Sequence, residues 1–382
     1  MKKKIILSSL TLAGLGWLAI SDYFFKYAMT TYKKKPESKE LSGRDALYRD
    51  KLGFKEFEKQ EWILRVDSNI SLYANYLDNH SKKTTILLHG FMSDGDSMAG
   101  FAKMFYDLGY NVLLPDARAH GRSSGEYIGY GWVEKDDILR WIKKAIGYTG
   151  DDTQIVVMGQ SMGGATAMMV SGLKLPKQVK AFIEDCGYSS VKEEVDYQAG
   201  NLFGLPKVIR KPLIKTMSGI NRIENGFFLK RASSVKQLRK NTRPFLFIHG
   251  GKDHFVPTEM VYQNYAATNA PKFLWVAPLA GHALSYPMYK NKYRQVIKAF
   301  LKKYIHQLLQ AVTQQDIIRD VEEVEIKLTS INISKFLSPE LYYYWKLERF
   351  SICRGISPNN GCLQNSNSLK VTFYVKTRTS EC

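Results

Sequence analysis

Residues Thr153-Gln154-Ile155-Val156-Val157-Met158-Gly159-Gln160-Ser161-Met162-Gly163-Gly164 decide how the rest of this chain is read. The apolar, β-branched run TQIVVM (153–158) predicts a buried strand, and SMGGATAMMVSG (161–172) predicts a helix of small residues. Between them, Gly159-Gln160-Ser161-Met162-Gly163 has the G-x-S-x-G spacing of a strand that turns sharply into a helix. Such a turn holds its central residue in a strained backbone conformation and projects its side chain. The two glycines flank it because a Cβ there would crowd the backbone. The Ser161 hydroxyl then faces a helix N-terminus, where negative charge is favoured. A G-x-S-x-G also arises by chance in a glycine-serine turn, so the surrounding chain has to carry the argument.

Outward from this elbow, strands and helices alternate. Glu61 to Val66 and Ile70 to Leu77 alternate apolar and polar residues around Asp67-Ser68-Asn69, a hairpin signal. Strands are predicted at Thr84–Leu88, Asn111–Pro115, Ala181–Glu184, Phe245–Ile248 and Lys272–Val276. Helices are predicted at Asp94–Leu108, Tyr130–Ile146 and Met288–Tyr304, with Ser93 or Asp94 available to cap the first. This rhythm predicts an α/β fold, a mostly parallel central sheet with helices on both faces. Residues 187–243 interrupt it with far more chain than a crossover requires, and they mix apolar residues such as Phe203, Leu213 and Phe227 with many lysines and arginines. They are expected to form a helical cap over the site.

An alcohol is a poor nucleophile at neutral pH, so Ser161 needs a general base, and histidine is the usual one. Of the seven histidines, His282 in Ala280-Gly281-His282-Ala283 follows the last predicted strand and reaches back over the C-terminal strand ends. The acid that orients it is best placed at Asp253, in the loop Gly250-Gly251-Lys252-Asp253 after the strand Phe245–Ile248. Asp185, after another strand, is the alternative acid, and His254 the weaker candidate base. Asp116 reads as a loop brace with Arg118 or Arg122, and His120 as a structural loop residue. A tetrahedral intermediate also needs an oxyanion hole. Met162, next to the nucleophile, supplies one backbone N–H, and Phe91 in His89-Gly90-Phe91-Met92 is the choice for the second.

The chain has 382 residues and is 45% hydrophobic, enough for a sizeable core. Its four cysteines, Cys186, Cys353, Cys362 and Cys382, form no C-x-x-C pair, and no Cys/His cluster has metal-ligand spacing. No metal or cofactor is therefore expected. Cys353 and Cys362 are a candidate pair in an oxidising compartment. The formal net charge is +19, spread along the chain without a nucleic-acid-binding motif. It points to anionic lipids or polymers rather than to nucleic acid. Oligomeric state is not legible.

At the N-terminus, Lys2-Lys3-Lys4 precede the uncharged stretch Ile5–Ile20, and apolar character resumes at Tyr23-Phe24-Phe25. A basic segment followed by an apolar one reads as an export signal. The favoured expectation is an uncleaved single-pass anchor over residues 1–32, with the remainder outside the membrane. A cleaved signal peptide, giving a secreted protein, and a buried helix of a cytosolic protein are the alternatives. A linker (33–60), the main domain (61–305) and an extension of open role (306–382) follow. Within the extension, 311–327 is helix-like, and Val324–Leu328 and Leu369–Val375 have strand character.

As a set, HGFM (89–92), PDARAHGRS (115–123), GQSMGG (159–164), HGGKDHFVP (249–257) and AGH (280–282) closely resemble the α/β-hydrolase superfamily. Within it they look most like the serine aminopeptidase-like, esterase-type hydrolases with an N-terminal membrane segment found in Gram-positive bacteria. The order nucleophile, acid, histidine is the one that superfamily uses. The resemblance covers about residues 60 to 305. It implies a serine hydrolase acting on an ester, less readily an amide or thioester, of a small-molecule or lipid-like acyl substrate. A peptidase or acyltransferase on the same residues, or an inactive binding protein on the same fold, are the rival readings.

Overall fold

A computed structural model describes residues 2–31 and 47–305. The chain divides into two units, Met1–Gln307 and Leu308–Cys382. The second lies outside the described residues, and with it the features expected in the extension and the Cys353–Cys362 pairing.

The elements run in the order α1 (Lys2–Met29), α2 (Tyr48–Lys55), β1 (Gln60–Arg65), β2 (Ser71–Leu77), β3 (Lys83–Leu88), α3 (Ala99–Asp107), β4 (Asn111–Pro115), α4 (Glu134–Thr149), β5 (Gln154–Gln160) and α5 (Met162–Ser171). Then come β6 (Val179–Asp185), α6 (Val191–Asn201), α7 (Lys207–Glu224), α8 (Ser234–Leu238), β7 (Phe245–Gly250), α9 (Glu259–Ala267), β8 (Lys272–Ala277), α10 (Ser285–Met288) and α11 (Lys290–Tyr304). Among the described residues the strands form one sheet, in the order β1-β2-β4-β3-β5-β6-β7-β8. The β1–β2 hairpin and the β2–β4 pair are antiparallel, and every pair from β4 onward is parallel. Asp67 makes the hairpin turn: its Oδ1 accepts the N–H groups of Asn69 and Ile70.

The strand β5 shows why its sequence is apolar throughout. Ile155 and Val157 enter the core on one face of the sheet, and Val156 and Met158 enter the core on the other. With both faces covered, period-2 alternation has nothing polar to alternate with. The first core takes Trp141 and Ile142 of α4, the small-residue face of α5, and Val261 of α9. The second takes Phe54 of α2, Phe101 and Phe105 of α3, and Tyr293 and Phe300 of α11. Each large side chain so buried contributes ~1.5–3 kcal/mol.

Several expected boundaries shift for local reasons. The helix expected at Tyr130–Ile146 starts at Glu134, whose buried carboxylate accepts the N–H groups of Gly129 and Gly131 and so holds residues 129–133 as turns. The segment expected as one helix from Asp94 is a short 3₁₀ turn, Gly95–Met98, capped by Asp94, followed by α3. The closing helix breaks at Tyr289 into α10 and α11. Part of the expected linker is α2, which places Leu47 and Phe54 in the second core.

The N-terminal segment differs most from a detached anchor. Ser21, Phe25 and Met29, four residues apart, are buried, and Phe25 and Met29 belong to the first core. The α1 helix packs on α7, where the Trp17 Nε1 donates to the Thr216 hydroxyl at 3.0 Å. The Thr30–Tyr127 bridge and the Ile128 N–H to Met29 carbonyl bond tie its end to the main fold. Asp22 and Lys26 pair on its outer face at 2.8 Å. No helix among the described residues is long and apolar enough to cross a membrane.

Candidate active site

Ser161 sits between β5 and α5 with φ 55° and ψ −117°, a backbone conformation that costs an L-residue energy and is held by its surroundings. Its N–H donates to the Asp185 carbonyl at 2.8 Å, and its carbonyl accepts the Ala165 N–H at 3.0 Å. The flanking glycines are required by space: a Cβ on Gly159 would stand 2.0 Å from the Gly163 carbonyl oxygen, and one on Gly163 would stand 2.0 Å from that of Leu88. Any larger residue would force β3, β5 and α5 apart.

The structure brings Ser161, His282 and Asp253 together. The His282 Nε2 lies 2.9 Å from the Ser161 Oγ, and its Nδ1 lies 2.8 Å from the Asp253 Oδ2. Asp253 is buried in the loop after β7. Its Oδ1 accepts the N–H groups of Phe255 and Val256, both at 2.9 Å, and its Oδ2 also lies 3.3 Å from the His249 Nε2. Burial alone would raise this carboxyl, but the hydrogen bonds and charges of His249 and His282 outweigh it and hold it well below the usual carboxylate range. An ionised Asp253 fixes the His282 Nδ1 as a donor, leaving Nε2 to take a proton from Ser161. The ring of Phe255 covers His282 at 4.9 Å between centroids.

The other candidates fall elsewhere. Asp185 is buried under the elbow with its Oδ2 accepting the Tyr293 hydroxyl at 2.9 Å, and burial pushes it up to about 6. It does not hydrogen-bond to His282. The His254 side chain is exposed. Asp116 braces the loop through the backbone N–H groups of Gly95 and Arg122, whereas Arg118 pairs with Asp137. His120 takes the Met92 N–H at 3.2 Å, and His89 takes the Ala117 N–H at 3.0 Å. Burial lowers both histidines to about 4, so each is a neutral acceptor that shapes the loop after β3. That loop lies against Ser161: a Cβ on Gly90 would be 3.6 Å from the Ser161 Cβ. Phe91 from this loop and Met162, the first residue of α5, both line the pocket above Ser161.

Cys186, Asp253 and His282 have potential ligand atoms within 4.8 Å of one another. Asp253 and His282 are already hydrogen-bonded to each other, and His282 to Ser161.

The pocket over Ser161 has about 820 Å³ of empty space, part of it open to solvent. Its walls come from the cap helices α6 and α7, from Tyr188, and from Phe24, Tyr27 and Ala28 of α1. Sequence reading placed α1 outside the site and missed two further groups. The buried His249, whose Nε2 donates to the Val256 carbonyl at 3.0 Å, stands 3.3 Å from the Asp253 Oδ2. Glu194 of α6 lines the pocket with its Oε1 accepting from Gln198 and its Oε2 buried without a partner among the described residues. Burial pushes Glu194 up to about 7. No spacing in the sequence signals either role, because each depends on what the fold buries.

A sequence profile of the alpha/beta hydrolase fold family matches residues 84–220. The chain is 27% identical over 249 residues to the YqkD protein of Bacillus subtilis, a match that spans 65% of this chain and 81% of YqkD. It is also 27% identical over 183 residues to YitV of the same organism, described provisionally as an esterase, over 45% of this chain and 69% of YitV. In three dimensions it resembles the Pyrococcus furiosus esterase Pf2001, with a TM-score of 0.53 and 23% identity, across 67% of this chain and 96% of that one. That likeness is one of fold. Sheet order, elbow and sequence profile together give this chain the α/β-hydrolase fold, and over residues 84–220 its sequence resembles that family.

Proposed function

We propose that the chain is a serine hydrolase that cleaves an acyl ester through an acyl-enzyme. The observation that carries this is the continuous line of hydrogen-bonding atoms from the Ser161 Oγ through His282 to Asp253, at 2.9 and 2.8 Å, on the floor of an apolar pocket. Ser161 Oγ bonds to the ester carbonyl carbon as its proton passes to the His282 Nε2. The N–H groups of Phe91 and Met162 take the oxyanion. The tetrahedral intermediate collapses, the ester C–O bond breaks, and His282 gives the proton to the departing alkoxide. Water then attacks the acyl-enzyme by the same route in reverse, releasing the carboxylic acid and restoring Ser161. No metal or cofactor enters these steps. The uncharged stretch Ile5–Ile20 behind Lys2–Lys4 supports attachment to a membrane through the N-terminal segment, with the hydrolase unit on the outer side.

Fluorophosphonate labelling tests the reading. The full-length protein should label covalently and hydrolyse p-nitrophenyl butyrate. Ser161→Ala should lose both while its thermal unfolding stays cooperative. Labelling that persists in Ser161→Ala places the nucleophile elsewhere, and turnover of aminoacyl amides in preference to esters favours a peptidase.

A further inference from the structure

Resting on that reading, we infer that the pocket opens onto a bilayer. The outer face of α7 docks on anionic lipid, and the substrate is an acyl ester of a membrane lipid whose chain enters between α1 and the α6–α7 turn.

Three observations combine. The first is that α1 is a wall of the acyl pocket. Phe24, Tyr27 and Ala28 line it, and Phe24 and Tyr27 meet Phe203 edge-on at 5.1 and 5.3 Å between ring centroids. The buried side chains of Phe25 and Met29 and the Trp17–Thr216 bond hold the helix in that place.

The second observation locates the mouth. Tyr27, Leu202 and Phe203 line the pocket and yet are 41%, 55% and 39% exposed. The cavity therefore reaches the surface where α1 meets the turn between α6 and α7, and its rim is apolar.

The third is the surface of the same two elements. Val208 and Ile209 on α7, and Leu18 and Tyr23 on α1, are large apolar side chains left exposed. On α7 they are interleaved with exposed Lys207, Lys211 and Lys215. An exposed helix face that mixes lysine with large apolar residues suits the boundary between anionic headgroups and acyl chains, and suits water poorly. The lysines supply charge complementarity to anionic lipid. Toward its N-terminus α1 runs back into the uncharged stretch Ile5–Ile20, so the pocket wall is continuous with the most apolar segment of the chain. An acyl chain that passed from the bilayer into this pocket would move between two apolar surroundings without crossing water, which removes the transfer cost a free long-chain ester would face.

The test uses the full-length protein reconstituted with vesicles of phosphatidylcholine and phosphatidylglycerol carrying a fluorescent-acyl phosphatidylglycerol, with soluble p-nitrophenyl butyrate as the control ester. The second enzyme is the double variant Val208→Asp, Lys211→Glu, whose positions do not line the pocket. The wild type should release fluorescent fatty acid. The variant should do so at least ~10-fold more slowly, with unchanged fluorophosphonate labelling and unchanged turnover of the soluble ester. Equal release by the two enzymes overturns docking through α7. No release from vesicles by an enzyme that turns over p-nitrophenyl butyrate overturns the lipid substrate and leaves the serine hydrolase standing. Absence of both labelling and soluble-ester turnover is a failure of the hydrolase reading itself, and takes this inference with it.

Discussion

Glu194 faces an apolar pocket with one carboxyl oxygen unpartnered among the described residues, and its burial raises its pKa. With its pKa pushed up to about 7, it is a neutral acid below that pH and a carboxylate above it. An acyl chain that fills the pocket strips the remaining water from it and so favours the protonated form. KM for a neutral long-chain ester should therefore rise as pH passes above about 7, and Glu194→Gln should flatten that rise. A KM that falls with pH would mean that the pocket takes a cation. The sign for stability follows from the same shift. A raised pKa contributes stability that is full below the unfolded value and is lost as pH rises through the folded one. The melting temperature of Glu194→Gln relative to wild type should thus be more favourable at pH 8 than at pH 5. Asp253 tests the other end of the site. Asp253→Asn should lower kcat by roughly 10⁴-fold with little change in KM, whereas Asp185→Asn, whose carboxylate accepts from Tyr293 and not from His282, should be far milder. A crippled Asp185→Asn beside a mild Asp253→Asn would reverse the assignment. Ser161, Asp253 and His282 were legible because their chemistry requires those residue types after those strands. Glu194 and His249 were not, since a glutamate on a polar helix and a histidine at a strand end look ordinary until the fold buries them.

At the scale of elements, α1 is where composition leaves the packed face unread. An uncharged run hides its own period: with nearly every residue apolar, no stripe stands out. The structure picks one face, Trp17, Ser21, Phe24, Phe25, Ala28 and Met29, and turns it onto the cap and the sheet's first core. The informative residues were the charged ones, since Asp22 and Lys26 are four apart and mark the opposite face. If α1 is a packed wall, its buried side should behave as core. Phe25→Ala should cost about 3–5 kcal/mol in urea unfolding, and Tyr23→Ala, on the exposed side, within about 0.5 kcal/mol of nothing. Equal and small effects at the two positions would return the segment to the status of a tether. The strands, by contrast, were read to within a few residues because bounded apolar runs between turn signals leave little choice. The helix starts at Glu134 and Lys290 were missed because a backbone-capping carboxylate and a one-residue break leave no periodic trace.

Taken as a whole molecule, the proposed reacting atoms and most of the pocket wall belong to different parts of the chain. Ser161, Asp253 and His282 stand on connections at the ends of β5, β7 and β8, inside the parallel sheet that the alternating pattern made predictable. Most of the wall comes from α1, α6, α7 and the turn between the last two, regions with no fixed place in that pattern. Within the expected cap, α8 packs on α5 and belongs to the main fold, so the covering part is the α6–α7 pair. Chemistry and chain-length preference should then separate on mutation. Met217 of α7 is buried and lines the pocket, so Met217→Trp fills space that an acyl chain would use. It should lower kcat/KM by about 10-fold or more on long-chain p-nitrophenyl esters, the range that a few methylenes command in an apolar pocket, with the butyrate ester nearly unaffected. Fluorophosphonate labelling at the wild-type rate would verify that the elbow is undisturbed. A parallel fall on short and long esters would mean that α7 acts on Ser161 itself, and that wall and machinery are not separable in this enzyme.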